Sequence, residues 1–128
     1  MKIAISAVHP TLDSEVDQRF GRCQYFVIVD PDTMQFEAIE NTSASAGGGA
    51  GIAAAQNIVE EKAEVLLTGN CGPNAYQILA SAGIKVMTGV SGKIKDAIEA
   101  YKAGKYQPIS QPNVAGHFGT GGGKGRGR

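Results

Sequence analysis

The chain has 128 residues, with twelve Lys or Arg balanced by twelve Asp or Glu and 18 glycines, a length that suits one domain burying about two thirds of its unfolded surface without staples. Its two cysteines, Cys23 and Cys71, are far apart and form no CxxC, which excludes a disulfide framework and fits a reducing compartment. No run approaches the ~20 apolar residues of a membrane span, and residues 1–7 lack the apolar core of a secretory signal, so a cytoplasmic protein that avoids membranes is expected.

The first expected element is a strand over 2–7, where Ile3 and Ile5 alternate with Lys2, Ala4 and Ser6. A long connection over 8–24 follows, holding His9, the carboxylates Asp13, Glu15 and Asp17, and the run Arg19-Phe20-Gly21-Arg22-Cys23. Connections this long are usually functional or mobile. The β-branched and aromatic stretch from Tyr25 to Val29 is a strand. Turn chemistry at Pro31, Asp32, Thr33 and Met34 returns the chain as a more charged strand over 35–40, suited to a sheet edge.

A polar loop then leads to Gly47-Gly48-Gly49-Ala50-Gly51 and a helix over 52–62, with Ile52, Ala55, Ile58 and Val59 at helical spacing. Residues 65–68 form a short buried strand. Ala75, Ile78, Leu79 and Ala82 mark a second helix, with Pro73 at its first turn and Gly83 just past its end. A strand over 84–87 follows. Ser91 is the expected cap of a third helix through Ile94, Ala97, Ile98 and Tyr101, which ends at Gly104. Residues 105–112 return over the body. Residues 113–128 hold Lys124, Arg126 and Arg128 and no carboxylate, so they carry +3 and leave −3 on residues 1–112. With seven glycines from Gly116 onward, this tail cannot bury enough apolar surface to fold and is expected to be disordered.

The order β β β α β α β α, with right-handed crossovers, predicts an α/β fold. It has a five-stranded mixed sheet of order 3-2-1-4-5, strand 2 antiparallel, and helices on both faces. Strands 1, 3 and 4 then end on one rim. The connections 8–23, 47–51 and 69–74 gather there, at the crevice where ligands enter open α/β sheets.

The chemistry offered at this rim is that of an anion site with soft ligands. The glycine loop is a nest of backbone N–H groups, or equally a flexible connector. It is neither a P-loop nor a dinucleotide fingerprint. Cys71, between Asn70 and Gly72 at a helix start, is expected to have a lowered pKa and to act as a metal ligand; the same residues also fit a tight connection around a small buried thiol. Cys23 is a second soft ligand or a packed thiol, His9 a ligand or a solvated side chain, and Arg22, with Arg19, an attraction for anions or a solvated loop cation. No catalytic set is present: no Gly-x-Ser-x-Gly, no HExxH and no converging carboxylates. A non-enzymatic binder or carrier of a metal–sulfur cluster is the leading expectation. A nucleic-acid module using the basic tail and a small-anion or nucleotide binder are the alternatives. The −3 body argues against a duplex-binding face.

Five stretches in order resemble the dinitrogenase iron–molybdenum cofactor biosynthesis family, the NifX-like domains also found at the C-terminus of NifB. They are Phe20-Gly21-Arg22-Cys23-Gln24-Tyr25-Phe26, the 47–51 glycine loop, Thr68-Gly69-Asn70-Cys71-Gly72-Pro73-Asn74-Ala75, Ala82-Gly83-Ile84-Lys85-Val86, and Ala97-Ile98-Glu99-Ala100-Tyr101-Lys102-Ala103-Gly104. The resemblance covers residues 1–112. It implies a three-layer RNase H-like domain that binds an iron–molybdenum cofactor, its precursor or another iron–sulfur or metal–sulfur cluster without turnover, exchanging it with donor and acceptor proteins. It leaves a homodimer open. Carried over by residue, it implies Cys71 as ligand, with Gly47, Gly48, Gly49, Gly51, Asn70 and Gly72 around it. Some cofactor-binding relatives have a histidine near the glycine loop, where this chain has Ser45 and Ala46.

Overall fold

The computed structural model describes residues 1–43 and 49–112; Gly47, Gly48 and the 113–128 tail lie outside the described residues. The elements run β1 (Ile3–Ala7), β2 (Tyr25–Val29), β3 (Phe36–Glu40), α1 (Ala50–Glu60), β4 (Val65–Leu67), α2 (Pro73–Ser81), β5 (Lys85–Met87) and α3 (Ile94–Lys102). One five-stranded sheet has the order β3-β2-β1-β4-β5. β2 is antiparallel to β1 and β3, while β4 is parallel to both β1 and β5. This is the α/β architecture and strand order read from the sequence.

Side-chain alternation sorts the sheet into two cores. Ala4, Phe26, Ile28, Leu66 and Val86 face Ala54, Ala55 and Ile58 of α1 and Ala75 and Leu79 of α2. Ile3, Ile5, Val27, Val29, Val65 and Leu67 face Ile94, Ala97 and Ile98 of α3. Three layers result, with α1 and α2 side by side on one face and α3 on the other. Strands buried on both faces explain why β1, β2 and β4 read as near-continuous apolar runs. β3, at the edge, is only partly buried. At the other edge, Ile109 donates its N–H to Val86 O of β5 at 2.8 Å, so the returning segment lies along the outer strand. Among the described residues, no helix is long and apolar enough to cross a membrane.

The long first connection is not slack. Asp17 N–H donates to Ser6 O at 2.9 Å, and the Ser6 hydroxyl returns a bond to Asp17 O at 2.7 Å. Val16 N–H donates to Gly92 O, Ile94 N–H to Ser14 O and Lys95 N–H to Leu12 O. These last bonds correct the expected cap of α3. Its N-cap is Lys93 and no side chain caps it. Carbonyls of the long connection accept the first-turn N–H groups, so Ser91 has no capping role.

Candidate functional site

α1 and α2 both start on the rim where β1 and β4 end. α1 begins at Ala50, two residues before the Ile52 start read from the sequence, because Gly49 takes a left-handed conformation (φ 74°) that turns the chain into the helix. Gly72 is the N-cap of α2 and Pro73 its first residue, as the sequence suggested. Neither helix start carries a side-chain cap. The first-turn N–H groups of a helix have no intrahelical partner and add to a positive dipole end. Two such ends therefore open side by side.

Between them lies an open cleft of about 480 Å³. Gly49, Gly51 and Ile52 form one wall, and Asn70, Gly72, Pro73, Asn74 and Ala75 form another. Gln18, Arg19, Phe20 and Gly21 close the third side. Among the described residues, no carboxylate lines it. Two glycines make this closure possible. A Cβ on Gly21 would sit 2.9 Å from the Gly51 backbone, so the loop lies directly on the first turn of α1. A Cβ on Gly69 would meet the Gln18 side chain and come within 2.6 Å of its Cα. Asn70 then pins the loop from the other side: its backbone N–H and Nδ2 both donate to Gln18 O, at 2.9 and 3.1 Å.

Among the described residues that line the cleft, Arg19 is the cation. Its side chain is 64% exposed, while its partner Asp17 is only 6% exposed. The Asp17 carboxylate accepts the Arg19 backbone N–H at 2.9 Å and the guanidinium Nε and Nη2 at 3.2 Å each. This pairing raises the Arg19 pKa further above its ordinary value. It also fixes the base of the side chain at the cleft edge.

The cysteines lie beneath this cleft rather than in its wall. Cys71 and Cys23 are both fully buried in the core shared by the sheet, α1 and α2. Burial pushes the Cys71 thiol up to about 12, the opposite of the lowering expected at a helix start: loss of water outweighs the helix dipole. Burial, and secondarily the Asp17 charge, push Cys23 up to about 12 as well. The Cys23 thiol donates to Phe20 O at 3.2 Å, and Asn41 Nδ2 donates to Cys23 O at 2.8 Å. Among the described residues, no group of three or more His, Cys, Asp or Glu side chains converges to hold a metal ion.

Of the residues singled out from the sequence, Gly49, Gly51, Asn70 and Gly72 line the cleft. Arg22 is exposed on the same loop but outside the cleft lining. His9 is exposed and outside the cleft lining, with its backbone N–H donating to Ser14 Oγ at 2.8 Å. Gln18 was missed, its only sequence signal being its position in a long connection that the strand order carries to the rim, and Phe20 was read as part of the 20–26 stretch of resemblance but not as a site residue.

The fold is a three-layer α/β domain with an open cleft at one rim of the sheet. The comparisons give its family: residues 1–104 match the family described as dinitrogenase iron-molybdenum cofactor, and the chain belongs to it. It is similar to the high-resolution structure of the apo form of the orange protein from Desulfovibrio gigas, with 43% identity and a TM-score of 0.85 over 88% of this chain and 96% of that one. It is also similar to a Thermotoga protein named as a NifB candidate, at 34% identity and a TM-score of 0.76, covering 90% and 98% of the two chains. An uncharacterized protein of Methanocaldococcus jannaschii is 30% identical over 84% of this chain and 90% of its own length.

Proposed function

We propose that the chain binds and carries an anionic metal–sulfur cluster, an iron–molybdenum cofactor or a related species, in the cleft between the starts of α1 and α2, without catalytic turnover. The observation that carries this reading is the lining itself. Among the described residues, two helix starts without a side-chain cap and Arg19 face one opening that no carboxylate lines. Such a surface attracts negative charge through oriented N–H groups as well as a full positive charge. Family membership supplies the chemical class of the anion. That the orange protein has a form called apo supports a removable cargo in a similar chain.

The cleft holds this cargo by charge and hydrogen bonds, with Cys71 and Cys23 left in the core. A neutral thiol with a pKa near 12 is a poor ligand at pH 7. Weak, reversible holding also suits a carrier, which must give its cargo up to an acceptor protein.

The test is anaerobic reconstitution with iron, sulfide and molybdate, followed by visible absorption. Wild type is expected to show charge-transfer bands. Arg19→Ala should bind more weakly, and Cys71→Ala should keep the bands. Loss of the bands in Cys71→Ala would make the thiol a direct ligand and replace the amide cradle. A colourless wild type would end the carrier reading.

A further inference from the structure

Arg19 reaches the cleft already paired. Its guanidinium gives Nε to Asp17 Oδ1 and Nη2 to Asp17 Oδ2, each at 3.2 Å, and its backbone N–H adds a third bond to Oδ1 at 2.9 Å. The pair is lopsided. The arginine side chain is 64% exposed and lines the cleft, whereas the carboxylate is 6% exposed and lies outside the lining. An anion in the cleft therefore meets a guanidinium backed by a carboxylate that is not part of the wall.

That carboxylate is a fixed part of the fold. Asp17 N–H donates to Ser6 O at 2.9 Å, and the Ser6 hydroxyl donates to Asp17 O at 2.7 Å while lying 2.8 Å from Thr68 Oγ1. Ser6 belongs to β1 and Thr68 directly follows β4, and both are fully buried. Asp17 is thus anchored by its backbone to the ends of two central strands. Its charge is felt in the core as well: burial first, and this carboxylate second, push the Cys23 thiol up.

The pairing bears on what kind of anion the cleft accepts. Arg19 and Asp17 sum to zero charge, so the described lining pulls on an anion with one end of an ion pair and with oriented N–H groups, without a net charge. Compact oxyanions such as molybdate and phosphate hold water tightly, and only strong charge-assisted bonds repay its loss. A sulfur-rich anion of the same shape and charge spreads that charge over larger, more polarisable atoms. It also gains dispersion contacts with apolar walls, which Phe20, Ile52, Pro73 and Ala75 provide here.

We infer that Asp17 is a specificity-determining residue: by cancelling the charge of Arg19 it denies compact oxyanions the net charge they need and leaves the cleft to soft, sulfur-rich anions. This rests on the reading of the cleft as an anion site and adds the means of rejection. Discrimination between like-charged ligands needs a feature that penalises the wrong one as well as one that attracts the right one.

The test titrates two tetrahedral dianions, tetrathiomolybdate and molybdate, into the full chain and into Asp17→Asn by anaerobic calorimetry. Asparagine keeps the shape of the side chain and an oxygen for the Arg19 backbone N–H, and the bonds to Ser6 use only the Asp17 backbone. Wild type should prefer tetrathiomolybdate by about tenfold or more. In Asp17→Asn, molybdate should bind about tenfold more tightly and tetrathiomolybdate only about twofold, so the preference shrinks. A loosened wall would instead change both affinities by one common factor; that result would overturn the role of Asp17 and leave the cleft reading in place. A wild type that takes both anions equally would do the same. Absence of tetrathiomolybdate binding by wild type would overturn both. Arg19→Gln, a change at an exposed side chain, is an independent check: it leaves the Asp17 charge uncancelled and should widen the preference, and an unchanged preference there would also refute the assignment.

Discussion

Cys71 shows how depth can reverse a local expectation. Its neighbours place it at a helix start, which favours the thiolate, but its side chain points into a core made by Phe20, Phe26, Leu66 and Leu79. Charging a buried group costs more than a helix end returns. The sequence left a small buried thiol open beside the ligand reading; what decides between them is the 8–24 connection lying over the turn, a tertiary fact with no periodic signature. A pH dependence follows from both thiols. The unfolded chain releases these protons near the ordinary value of 9.0, while the folded chain holds them to about 12. Below pH 9 their contribution is fully present. Between 9 and 12 the unfolded state binds fewer protons, so stability falls as pH rises. Urea midpoints at about pH 8 and 10.5 should show this decline, and a Cys23→Ala, Cys71→Ala double variant should flatten it.

At the scale of elements, the strand order and the gathering of three loops on one rim were legible. They follow from apolar periodicity, turn residues and the handedness of crossovers. The path of the long connection was not, since it is fixed by backbone bonds such as Asp17 to Ser6 and Asn70 to Gln18, which any residue can make. The Ser91 cap failed for the same reason: carbonyls of Leu12 and Ser14 reached the α3 N–H groups first. What the sequence did carry was the clearance. Gly21 and Gly51 permit a backbone-on-backbone contact between the loop and α1. Gly21→Ala should therefore cost about 1–3 kcal/mol, because the backbone rather than a flexible side chain must give way. It should also weaken anion binding by spreading the cleft wall from the first turn of α1. Thermal melts and the anaerobic reconstitution would check the two effects separately. A variant that melted like wild type would mean that the loop and helix do not hold each other.

For the whole molecule, the family match and the fold end at different places. The match stops at residue 104. The fold does not, because β5 is an outer strand and its backbone is met by Ile109. An outer strand with bare carbonyl and amide groups is a template on which another chain can add itself. The few residues after α3 are therefore expected to shield β5 from such pairing. A chain cut after Gly104 should keep its secondary structure yet associate with concentration, whereas one ending at Pro112 should stay monodisperse in light scattering. Indistinguishable scattering from the two would show that β5 needs no such shield. One backbone bond, Ile109 N–H to Val86 O, thus ties the segment after α3 to the outer strand, and proteolytic loss of that segment is expected to leave β5 open to pairing with a second chain.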